Sequence, residues 1–356
     1  MKQFSREDFY KETSQIPGPD PKKEWEETKR RQALSEKEKP LGLLDSYMIR
    51  LAGLSSLEGP GLKPRTLFVF GSDGAVIQEG GLVDSLAPST AEKLLDLAGG
   101  RGPVSRLAQA TDTQIIPVNL GSLGLDLSEE GIVHAPVMPQ GARNFVHEEA
   151  LTEETMMTAI RLGMEFAAQA ASRGFKLLMA AGLSTSSQLS ALAVLAALTG
   201  REVGEILDKG PQLDDEVFRR RTQVLSQALD QRQAQATNAF DVLVKLGSLD
   251  MAAMLGLYAG AAVYGIPVLL DDLLTLVAAL VTVRLLPESR AFLFASQATD
   301  DPANELVLRE LGMTPFLDRA AAYGGGTGAL FMLPNLDLSV SLFDDQARGQ
   351  ATGDWN

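Results

Sequence analysis

A short apolar run closed abruptly by small or polar residues occurs five times along this chain. The runs are "RTLFVFGSDG" from Arg65, "TQIIPVNLGSLG" from Thr113, "FKLLMAAGLSTSS" from Phe175, "GIPVLLDD" from Gly265 and "SRAFLFASQATDD" from Ser289. Continuous apolar runs bounded by turn residues mark strands buried on both faces. Helix-like sequence follows most of them, and that alternation implies βαβ units and a parallel sheet covered by helices. The expected fold is therefore α/β and Rossmann-like, a mostly parallel sheet flanked by helices. Ligands of such sheets bind outside the C-terminal strand ends. That places Ser72-Asp73, Asn119, Ser184 to Ser187, Asp271-Asp272 and Ser296-Gln297 along one edge.

With 356 residues the chain can bury one large core or two modest ones. Residues 1–60 read as a helical segment, since "PKKEWEETKRRQALSEKEK" spaces acids and bases as a solvated helix face does. Residues 61–310 form the large α/β domain, and residues 311–356 a C-terminal loop and return segment. The two terminal regions are expected to build a small helical domain. "ALFMLPNLDLSVSLF" reads as a last strand-like segment, and "DDQARGQATGDWN" as a frayed tail.

The formal charge of −14 opposes binding to nucleic acid, whose phosphates repel such a surface. An anionic substrate would need backbone amides or a stray cation. Cysteine is absent, which excludes disulfides and thiolate metal sites, and the two histidines, His134 and His147, share no motif. No metal site is expected. Neither a Walker lysine nor a Gly-x-Gly-x-x-Gly follows a strand in the right place, so no cofactor is expected either. The N-terminus lacks a signal-peptide core, and a cytoplasmic protein is the default. Asp271, Asp272 and Arg284 interrupt the longest apolar stretch, so no membrane span is expected.

Two segments resemble sites. Ser184, Thr185, Ser186 and Ser187 open an apolar helix, where hydroxyls and free amides suit a phosphate or simply cap the helix. "YGGGTG", residues 323–328, can cradle a phosphate, line a flat aromatic ligand or serve as a connector, but its glycines supply no reagent.

The order of segments resembles the CobT family of nicotinate-nucleotide:dimethylbenzimidazole phosphoribosyltransferases, from about Lys39 to Pro334. "KPLGLLDSY" (39–47), "FDVLVKLGSLDMAAMLGLYAGAAVYGIPVLLDDLLTLVAAL" (240–280) and "GMTPFLDRAAAYGGGTGALFMLP" (312–334) carry the likeness. The resemblance implies transfer of phosphoribose from nicotinate mononucleotide to the lower-ligand base of a cobamide. It also implies a general-base glutamate in a Leu-Gly-Glu-Gly-Ser-Gly loop, and here Gly325 occupies that position. The family's Gly-Glu-Leu-Gly-Met-x-Asn-Thr-Thr becomes Gly182 to Gln188, its Asp-His-Gly-Val becomes Ser72-Asp73-Gly74-Ala75, and its Ser-His-x-Ser becomes Ser296-Gln297-Ala298-Thr299. Glu216 replaces a lysine near a helix start.

These departures imply that the chain has no catalytic residue of its own. What remains is a relic substrate pocket of Ser72, Asp73, Ser184, Ser186, Ser187, Gly324, Gly325, Gly326 and Thr327. Within the family the chain looks most like the ArsB-type subunit of the phenol- and p-cresol-activating ArsAB branch. The partner implied is a catalytic CobT-like paralogue in a pseudosymmetric heterodimer, with nicotinate mononucleotide and a phenolic base as substrates of the complex. The alternatives are a self-sufficient transferase using Asp73, Asp271 or Tyr323 as base, and a non-catalytic ligand-binding paralogue.

Overall fold

The computed structural model describes residues 3–35, 42–54, 61–82, 88–126, 129–207, 214–318 and 324–342. Each of the five apolar runs forms a strand: β1 (Arg65–Ser72), β2 (Thr113–Gly121), β4 (Leu177–Gly182), β5 (Val268–Leu270) and β6 (Leu293–Ala295). A short β3 (Val133–His134) completes one parallel sheet of order β3-β2-β1-β4-β5-β6. A small parallel pair, β7 (Gln297–Ala298) and β8 (Leu317–Asp318), lies apart from it. The order reverses between β1 and β4, which are direct neighbours, with Phe70 opposite Gly182. In doubly wound sheets this reversal opens the ligand crevice.

The strands look uniformly apolar because both faces are covered. Phe68, Phe70, Leu178, Ala180, Val268 and Leu270 enter one core, while Leu67, Val69, Leu177, Met179, Ala181 and Leu269 enter the other. Fourteen α-helices are described. The N-terminal ones are α1 (Arg6–Thr13), α2 (Pro21–Ser35) and α3 (Leu43–Ala52). Next come α4 (Thr90–Ala98), α5 (Gly102–Ala110), α6 (Glu153–Ser172), α7 (Thr185–Thr199), α8 (Val203–Ile206), α9 (Asp215–Arg232) and α10 (Ala239–Leu246). The last are α11 (Leu249–Val263), α12 (Leu273–Leu285), α13 (Pro302–Leu311) and α14 (Thr327–Leu342).

Helices α6, α7, α10, α11 and α12 bury the first face, and α3, α5 and α14 the second. On the first face α6 and α11 touch backbone to backbone. A Cβ on Gly256 would lie 1.9 Å from the Ile160 carbonyl, and one on Gly163 1.9 Å from that of Ala253. On the second, α3 covers the open edge of β6, where Tyr47 donates to the Ala295 carbonyl at 2.5 Å and Arg50 to that of Leu293 at 2.9 Å. An edge whose carbonyls are occupied in this way does not recruit another strand.

One element departs from the expectation. Residues 329–342 of the expected strand-like segment 329–343 form most of α14, a 16-residue helix with Pro334 inside it. Ala329, Leu330, Met332, Leu333 and Leu336 are buried while Phe331 and Leu338 are exposed, a spacing that only a helix produces. The expected frayed tail lies outside the described residues. Far along α14, the Asp337 carboxylate grips the buried Arg65 guanidinium with two contacts of 2.8 Å, at the first residue of β1.

Candidate functional site

The polar residues that close the strands do gather at the C-terminal edge, because every main-sheet strand runs the same way. At the end of β1, Ser72 is fully buried and its hydroxyl has no hydrogen-bond partner. Asp73 accepts from the Thr90 hydroxyl at 2.6 Å and from the Leu123 amide at 2.7 Å. At the end of β2, Asn119 accepts from the amides of Gly121 and Ser122 and so shapes the turn.

Ser184 is the N-cap of α7, accepting from the Ser186 amide at 3.3 Å and sharing a 2.6 Å contact with the Ser186 hydroxyl. The capping reading of these serines is thus met at Ser184 and Ser186. Gly74, after β1, lies against Ser186, where even a Cβ would come within 3.0 Å. Ser187 turns inward, toward Asp250 on α11. That carboxyl is wholly buried, with Oδ1 receiving the Ser248 hydroxyl at 2.5 Å and the Met251 amide at 3.0 Å, while Oδ2 lacks a partner. Burial raises its pKa, and the nearby hydroxyls of Ser187 and Ser248 oppose that shift.

The glycine loop holds a carboxyl group, and that carboxyl is the protein's own. Asp271, at the end of β5, accepts from the Gly326 amide at 2.8 Å, the Ala329 amide at 3.2 Å and the Gln297 side chain at 3.2 Å. Gly328 is required beside it, since a Cβ there would sit 2.4 Å from Asp271 Oδ1. Burial, then the neighbouring Asp272, push the Asp271 pKa up to about 7 despite these amides. Asp272 caps α12 through the Thr275 amide and receives Gln188 from α7 at 3.3 Å. Gly324 lies beside the Asp272 carboxylate, so Gln188 and Asp272 link the two expected halves of the pocket. Gly324, Gly325 and Gly326 all have positive φ, at 67°, 67° and 97°. Thr327 donates to the Gly324 carbonyl at 3.0 Å and closes the turn. Tyr323 lies outside the described residues.

Three groups here carried no distinguishing mark in the sequence. Asp250 lies in an apolar helix where an acid reads as an N-terminal residue. Tyr258, also on α11, is fully buried without a hydroxyl partner, and burial followed by Asp272 and Asp271 hold its pKa well above 10. Lys93, one turn after Thr90 on α4, donates to the Leu183 carbonyl at 2.9 Å. Burial lowers its pKa and Asp73 opposes the shift.

Elsewhere, a cavity of about 660 Å³ opens between Glu79 to Gly81 and the start of α9. Asp214, Glu216, Arg219 and Arg220 line it, and Arg220 is turned onto the Glu79 carbonyl at 2.6 Å. Glu79 is held ionised first by Asn144, then by His147 and Arg220. His147 thus pairs with Glu79 at 2.7 Å while His134 lies by the Glu129 carbonyl, far along the sheet edge on β3. Among the described residues no group of three or more His, Asp or Glu is placed to hold a metal ion, and no helix is long and apolar enough to cross a membrane.

Comparison with known proteins gives this edge a context. Residues 16–353 match a family model described as phosphoribosyltransferase. A nicotinate-nucleotide–dimethylbenzimidazole phosphoribosyltransferase of Pseudomonas putida is 31% identical over 320 residues, covering 89% of this chain and 90% of the relative. One from Clostridium perfringens is 27% identical, covering 86% of this chain and 84% of its own length. Among solved structures, the enzyme of that name from Thermus thermophilus superimposes with a TM-score of 0.83 at 27% identity, covering 94% of this chain and all of the other. CobT from the same organism gives 0.81 at 27% identity, covering 92% of this chain and 99% of the other. By sequence and by fold, the chain belongs to the CobT-type phosphoribosyltransferase family.

Proposed function

We propose that this chain is the non-transferring subunit of a heterodimeric phosphoribosyltransferase in cobamide biosynthesis. The complex moves phosphoribose from nicotinate mononucleotide to a phenolic base, phenol or p-cresol, and a CobT-like paralogue carries the chemistry. The observation behind this reading is the loop at Gly325. Where the family resemblance puts a proton-accepting glutamate, the chain has a glycine with φ +67°. The nearest carboxyl of the loop, Asp271, has both oxygens engaged by amides. A general base must reach the proton it removes, and such a group contributes about 10²–10⁴-fold. Glu216 at the start of α9, and Arg220 there already paired with the Glu79 carboxylate at 3.4 Å, further weaken the case for a complete site.

In the partner's site the phenolic oxygen, deprotonated by a carboxylate, would attack the anomeric carbon as the bond to nicotinate breaks. This chain's share is the supporting surface. A self-sufficient enzyme is the second reading, and Asp271 favours it, because a carboxyl titrating near 7 suits a general base. Nicotinate release from nicotinate mononucleotide with phenol present separates the two. The expected outcome is none from the chain alone and release once a paralogue bearing Leu-Gly-Glu-Gly is added. Turnover by the chain alone, lost in Asp271→Asn, would establish the second reading instead. Ligand binding with no turnover, with or without a paralogue, would indicate a sensor.

A further inference from the structure

Asp250 and Ser187 are neighbouring side chains, and each leaves one buried polar atom open. Asp250 stands in the first turn of α11, fully buried beneath the end of β4, where a Cβ on Gly182 would come within 3.0 Å of its Oδ2. Its Oδ1 accepts from the Ser248 hydroxyl and the Met251 amide, but Oδ2 has no partner. Ser187, in the first turn of α7, is also fully buried, and its Oγ completes no hydrogen bond of good geometry. The serine nevertheless lies close enough to act on the Asp250 carboxyl. Buried polar groups are nearly always hydrogen-bonded, so two adjacent orphans point to one hydrogen shared between them.

Either side could own that hydrogen. The positive pole of α11 favours an ionised carboxylate, but such poles act weakly, and the two donors on Oδ1 stay bonded to the carbonyl oxygen of a neutral acid. An isolated buried charge costs more than both effects return. No charged side chain offsets it. The groups around the carboxyl are Ser187 from α7, Gly182 from β4, Leu274 from α12, and Ser248, Met251 and Met254 from the start of α11 itself. Burial accordingly raises the pKa of Asp250.

We propose that Asp250 keeps a proton on Oδ2 and donates it to Ser187 Oγ, so that one neutral hydrogen bond ties the first turn of α11 to that of α7. Loss of this proton to solvent leaves a carboxylate with no cation beside it. Water is then drawn between the two helices, and both first turns loosen. The bond is an alkaline-sensitive latch under the end of β4. It acts within this chain and is independent of which chain performs transfer.

Infrared spectroscopy of the full-length chain reads the proton directly. In D271N, which removes the other carboxyl titrating near neutrality, a protonated-carboxyl band should persist at pH 7 and should vanish when D250N is added. The latch also has a sign. Above the ordinary carboxylate value the folded chain holds a proton that the unfolded chain has released, so stability falls as pH rises toward the folded value. D250N, whose amide donates to Ser187 from the same place, should melt like its D271N parent at pH 6 and lose less stability by pH 9. Amide exchange in residues 185–189 and 249–253 should quicken in the parent relative to D250N, by up to about 10-fold per pH unit. If D250N does not fold, S187A replaces it: removing the acceptor should move the carboxyl band to higher frequency. An absent band at pH 7 would mean that Ser187 donates to an ionised Asp250 and would overturn the proposal. So would a band that neither variant alters, or equal exchange in parent and D250N from pH 6 to 9.

Discussion

A side chain at Gly325 meets an obstacle that a sequence comparison does not reveal. Its φ of +67° disfavours any residue with a Cβ, although that Cβ would only touch Val104, at 3.4 Å. Gly325→Glu should lower stability by about 1–2 kcal/mol, read as a lower urea midpoint at unchanged slope. It should also fail to create nicotinate release, because Asp271 still fills the loop's amides. At the same scale, Asp271 gives the fold a pH signature. Its folded pKa of about 7 exceeds the ordinary carboxylate value, so between those limits the folded chain holds a proton that the unfolded chain has released. Stability is then greatest below the unfolded value and falls as pH rises toward about 7, by up to roughly 1.4 kcal/mol per unit. Asp271→Asn should flatten that slope in a series of denaturant titrations from pH 4 to 8. An unchanged slope would assign the dependence to other groups.

Among the elements, the α6–α11 pair shows packing overriding intrinsic preference. Alanine is favoured over glycine in a helix by about 1 kcal/mol, yet Gly256→Ala would place a methyl 1.9 Å from the Ile160 carbonyl. The helices must separate, and a net loss of about 1–3 kcal/mol is expected, measured as a drop in melting temperature. The same competition decides what the sequence reveals. Five of the six strands of the main sheet were legible because burial on both faces leaves a plain mark, a short apolar run ending in turn residues; β3, two residues long and not buried, left none. α14 was not, since a helix apolar around most of its circumference shows neither helical nor strand period, and only the length of the run argued for a helix. The serine cap of α7 was legible because capping is local chemistry. The Asp271 carboxyl held by the glycine loop was not, because its partners lie 55 and 58 residues away. Lys93 was hidden for the same reason, 90 residues from the carbonyl it binds.

For the whole molecule, the polar residues that close the strands lie at one edge, and they were foreseeable as a set once the strands were known to be parallel. Two copies of this chain would combine formal charges of −14 each, whereas a less acidic paralogue would meet less repulsion. Light scattering on an equimolar mixture with a Leu-Gly-Glu-Gly paralogue should therefore show a one-to-one pair displacing any self-associated form. Persistence of separate species would reject the heterodimer.

The last long helix also sets a clock on biosynthesis. Arg65 opens the first strand of the sheet, and its counter-ion, Asp337, lies 272 residues downstream. Ribosomes add about 5–20 residues per second, so the two are separated by roughly 15–55 s of translation. Throughout that interval Leu67 and Val69 have no α14 to cover them, and a buried guanidinium has no carboxylate to meet. Part of one face of the nascent sheet must wait until α14 has been made, a period in which a chaperone or a companion subunit would find it open.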